Sequence, residues 1–156
     1  MNRFFGAVLA LGCTLSPAFA DQLEDRFLTA QQAFEDRVRE FYISRVPELG
    51  DLVPRFMEDE RARTSMLCAL NYIRTEAGAD VAEIYVSSIE DMGSAPITSM
   101  DGLSGIPDSV PQDVIFGSMS ACNTVTVSRE LMEESGMMDA MRNPETLQKL
   151  MAPSDG

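Results

Sequence analysis

A chain of 156 residues, 45% of them hydrophobic, is long enough to bury one core and short enough to be one domain. Its 25 acids against 12 bases give a net charge of −13, which repels nucleic acid and anionic lipid, since phosphate binding needs clustered Lys and Arg. The sequence contains no histidine, so Ser-His and Cys-His nucleophile pairs, His-ligated zinc and the commonest general base are excluded together.

The N-terminus predicts a cleavable export signal over residues 1–20. A single positive charge at Arg3 precedes an uncharged apolar run, Phe4 to Gly12. The small-x-small site Ala18-Phe19-Ala20 then stands ahead of Asp21. The run is about half of what a bilayer span needs, and no later segment approaches that length, so no membrane span is expected. Cleavage would leave 136 of the 156 residues and remove Arg3, moving the charge from −13 to −14. A rival reading takes Leu11-Gly12-Cys13 as a lipidation site, with acyl chains on Cys13 holding the protein to a membrane. The expected location is periplasmic or secreted.

Residues 21–156 read as one acidic, all-α domain of four to five helices. Leu23, Phe27, Ala30, Phe34, Val38 and Phe41 recur at steps of three and four, one apolar stripe of a helix that Pro47 and Gly50 end. A second helical region spans about 51–77, with Asp51 as its cap, Pro54 in its first turn and a possible break at the charged belt 58–63. Asp80 and Glu83 read as a capping box opening a third helix that Gly93 closes. Three prolines and two glycines make residues 94–112 a long loop. Helical spacing resumes from Asp113 to Ser135, as one helix or as two with a break near Asn123, and Gly136 stops it. Asn143-Pro144 starts the last helix with a cap and a proline at the first helical position.

Two cysteines follow the signal, Cys68 and Cys122. An even pair in an exported chain predicts a disulfide, here tying the second helix to the fourth. The pair lacks Cys-x-x-Cys spacing and so carries no thioredoxin-type motif.

Catalytic motifs are missing. Gly117-Ser118-Met119-Ser120 is a near miss for a nucleophile elbow and has no base to serve it. The acid clusters Glu58-Asp59-Glu60, Glu90-Asp91 and Glu133-Glu134 read as solvated helix faces, because helix neighbours point to different sides. No catalytic residue and no cofactor is therefore assigned. What stands out is methionine, 11 in all, with Met132, Met137, Met138 and Met141 crowding the C-terminal third. Thioethers select Cu(I), so a copper-binding site on these four is one reading; flexible filling of a core or a partner surface is the other. The leading expectation is an exported, non-enzymatic module that binds another protein, with a small chaperone or inhibitor as a variant and copper binding as the alternative.

Overall fold

The computed structural model describes residues 17–103 and 110–152, with the side chains of 17–21 and of Asp101 left aside. Seven α-helices and three 3-10 turns, and no strand, occur among these residues. The all-α reading holds, with more helices than the four to five expected because the C-terminal third is cut into short pieces.

The long helix α1, Pro17–Arg45, follows its apolar stripe. Leu23, Phe27, Ala30 and Phe41 are buried. A 3-10 turn at Pro47–Leu49 ends the run. The second helix does not begin at Asp51. Pro54 disfavours the helical conformation in Val53, and the chain instead turns, forms a 3-10 turn at Phe56–Glu58 and enters α2 at Glu60–Glu76. Asp59 is the cap; its carboxylate accepts from the backbone N–H groups of Arg61 at 2.8 Å and Ala62 at 3.1 Å.

Helix α3, Ala79–Ser94, opens on Gly78 at φ 98° without a side-chain cap, so the expected capping box is absent. Glu83 is drawn away to Arg26 of α1, which also holds Glu90 through two hydrogen bonds of 3.0 and 2.8 Å. Gly93 lies inside α3 and does not stop it. A Cβ there would stand 3.0 Å from the Ala33 Cβ and 3.1 Å from the Phe34 nitrogen, so glycine lets α3 lie close against α1.

The segment expected as a loop over 94–112 is partly ordered by packing. A 3-10 turn at Met100–Leu103 sits within it, Ile97, Met100 and Leu103 lean on the core, and Val110 is buried; residues 104–109 lie outside the described set. Two helices then cover the region 113–135: α4, Gln112–Ala121, and α5, Thr124–Glu134. They break at Asn123, whose φ of 56° is the one left-handed non-glycine conformation among the described residues. Gly136 at φ 79° turns the chain into α6, Met137–Arg142. Asn143 accepts from the Glu145 N–H at 2.9 Å and caps α7, Pro144–Met151, as its Asn-Pro start implies.

Cys68 of α2 and Cys122, at the corner between α4 and α5, are joined, with a Cα separation of 5.7 Å. Beside them the buried Ser65 hydroxyl donates to the Cys122 carbonyl at 2.9 Å, which satisfies the corner's backbone. Two buried clusters result. One gathers Leu23, Phe27, Leu70, Ile73, Val86 and Ile115 from α1 to α4. The other gathers Phe41, Val46, Leu49, Val53, Met137 and Leu150 from the far end of α1, the turns after it, and α6 and α7.

Candidate functional site

Most residues singled out from the sequence have a definite place in the fold. Met137 is 1% exposed inside the second cluster, and Met132 and Met141 pack against that cluster from its edge. Met138 is half-buried. Three of the four thioethers are therefore engaged as core filler. Ser118 is buried and its hydroxyl bonds the Ile115 carbonyl at 2.8 Å, a helix-internal contact. The acid clusters divide between caps and ion pairs. Asp59 caps α2, Glu90 pairs with Arg26, and Glu134 meets Arg61 at 2.9 Å. In each case the guanidinium side chain holds the carboxyl below its usual range. Ala18, Ala20 and Asp21 fall in the first turns of α1, and Cys13 with the rest of residues 1–16 lies outside the described residues. No described helix is long and apolar enough to cross a membrane.

The feature the sequence did not announce lies on α1. Of the six residues in its apolar stripe, Phe34 and Val38 alone are not fully buried. They fall between the two clusters, where α1 passes from one core to the other. With Gln31 and Glu35 they form one face, at steps of three and four. That face floors a recess of about 230 Å³. Val53, Pro54, Phe56 and Met57 build one wall, and Met66 of α2, Leu103 and Ser128 of α5 complete the rim.

The turn at Phe56–Glu58 forms this wall because α1 holds it on both sides of Pro54. Glu35 Oε2 accepts the Met57 N–H at 2.8 Å, and Arg39 donates to the Val53 carbonyl at 3.3 Å. Burial pushes the Glu35 carboxyl above the usual carboxylate range. The Met57 N–H pulls it back, while Asp36 and Glu58 push it further up and Arg55 draws it down. No hydrogen bond reaches Glu35 Oε1 among the described residues. Arg55, the nearby cation, is bonded to Glu58 at 2.9 Å.

A second cleft of about 410 Å³ runs along the seam of α1 and α3, beside Gln22, Arg26, Thr29, Glu90 and Ser94. Its one cation, Arg26, is occupied by Glu83 and Glu90. The recess at Phe34 and Val38 is thus the better site: an apolar floor with a half-buried, half-satisfied carboxylate at its edge. Small-molecule and side-chain sites share this composition, mostly apolar with a few placed polar groups. No family model, curated protein or solved structure matches the chain.

Proposed function

We propose that the chain is an exported, non-enzymatic helical binding module whose site is the recess over Phe34, Glu35 and Val38. The observation that carries this reading is the half-buried middle of the α1 stripe. Helix residues at these positions belong to the core by periodicity, and leaving them partly open keeps apolar surface in contact with water at a cost of about 25 cal/mol per Å². A partner that covers them recovers that free energy. The polar groups around the recess are one carboxyl, the Gln31 amide and the Ser128 hydroxyl, a set that suits orientation of a bound group.

Export is supported by the signal-like residues 1–20 and by the Cys68–Cys122 bond, which persists in oxidising compartments. The Cu(I) alternative loses ground through the packing role of Met132, Met137 and Met141.

The test is a titration of the folded mature protein with Nile red, a neutral dye that fluoresces in apolar surroundings. Saturable uptake at one site is expected, and Val38→Lys, which fills the recess with a cationic side chain beside Glu35, abolishes it. Uptake that never saturates, or that survives Val38→Lys in a variant of unchanged melting temperature, overturns the reading. For export, the mass of protein recovered from the periplasm of an expressing bacterium is decisive. It should begin at Asp21 and be lighter than its reduced form by the two thiol hydrogens; an acylated chain beginning at Cys13 would place it on a membrane instead.

A further inference from the structure

Resting on that reading, we infer that the recess takes an apolar side chain of a partner peptide whose neighbour is a lysine or arginine, the cation pairing with Glu35 Oε1. Size sets the first half of the specificity. At about 230 Å³ the recess falls below the range of about 300–1,000 Å³ in which drug-sized ligands sit, so it holds one large side chain. Phe34, Val38, Val53, Phe56 and Met57 offer that side chain apolar contact from three segments.

Charge sets the second half. Glu35 spends one oxygen on the Met57 N–H, and among the described residues nothing bonds the other. Burial disfavours the charged form of Glu35, and a partner's ammonium or guanidinium offsets that cost while forming a charge-assisted bond at Oε1. Asp36 and Glu58 stand close enough to Glu35 to act on it electrostatically, and Arg55 is already bonded to Glu58. With a chain charge of −13, the approach of a basic segment is favoured and that of an acidic one opposed.

The experiment uses the mature protein labelled with nitrogen-15 and two N-acetylated heptapeptide amides. One has phenylalanine between two lysines, the other phenylalanine between two glutamates. The reporter is the Met57 amide, since it donates to Glu35. The lysine peptide should shift it saturably and bind at least about tenfold more tightly than the glutamate twin, as one charge-assisted bond implies. Glu35→Gln, which keeps an acceptor for the Met57 N–H, should cut that preference to about threefold or less. Equal binding of the two peptides overturns the inference and leaves the Nile red site standing. A preference untouched by Glu35→Gln also overturns it, locating the cation elsewhere. A Met57 shift that depends on protein concentration without peptide makes a second copy of the chain the occupant, which overturns it as well. If neither dye nor peptide moves Met57, both readings fall.

Discussion

The two buried clusters are built differently, although α1 runs through both. The first is formed by whole helices, and its fully buried members include Phe27, Leu70, Ile73 and Val86. Long regular helices present flat, repeating faces, and stiff β-branched or branched side chains fill the space between them in few rotamers. The second is formed where 3-10 turns meet the short helices α6 and α7, and Met100, Met132, Met137 and Met141 gather there. Irregular elements leave irregular gaps, and an unbranched thioether chain adapts to them. Four of the 11 methionines are thus accounted for by these irregular elements, while Met66 and Met119 pack at the edge of the first cluster.

The comparison can be broken in three ways. The largest effect is expected at the disulfide, which joins α2 to the corner of α4 and α5 beside the first cluster. Cys68→Ala with Cys122→Ala opens a loop of 54 residues and should cost about 4 kcal/mol in urea unfolding. A loss below about 1 kcal/mol would mean that helix packing holds the first region without it. Next comes a matched pair of substitutions. Ile73→Ala, at a site with no exposure, should cost about 3–4 kcal/mol, whereas Met137→Leu should cost less than about 1.5 kcal/mol because the second cluster yields to shape. Equal costs would show both cores to be equally rigid.

The smallest effect separates the seam between the clusters from the surface around them. Glu90, Asp59, Glu134 and Glu145 have carboxyls held below their usual range by Arg26, Arg61, Arg61 and Lys149. Their stabilisation is present above the unfolded pKa of about 4 and is lost as pH falls through the lower folded values. Glu35 has the opposite sign. Its folded pKa is raised, so its contribution improves as pH falls through that value and is fully gained below the unfolded one. Urea midpoints should therefore rise slightly as pH falls through the raised Glu35 value and fall below about pH 4. Glu35→Gln should remove the rise and leave the fall; a rise that persists in that variant would assign it to another group.

Much of this fold was legible in the sequence, and the failures share a cause. The α1 stripe, the break at Asn123, the stop at Gly136 and the Asn143-Pro144 start are local signals, and the chain obeys them. Asp51 and Asp80 were equally good local signals that tertiary structure overrode. Pro54 and Val53 were taken into the core, and Glu83 was taken by Arg26. Gly93 read as a stop because its close approach to Ala33 of a different helix has no trace in neighbouring residues. The recess was hidden for the same reason. Its lining comes from α1, the segment after Val53, α2, Leu103 and α5, and only folding brings these together. The one local hint was an acid, Glu35, placed directly beside an apolar stripe.

The bond between Cys68 and Cys122 has a further consequence for how the chain meets a protease. It closes a ring of backbone that contains the rest of α2, all of α3 and α4, and the whole stretch from Ser94 to Gln112. A protease that nicks this stretch cuts the ring and liberates no fragment, because both ends stay tethered through sulfur. The chain can therefore be clipped at its longest connection and still survive as one molecule, with the α1 face at Phe34 and Val38 lying outside the ring.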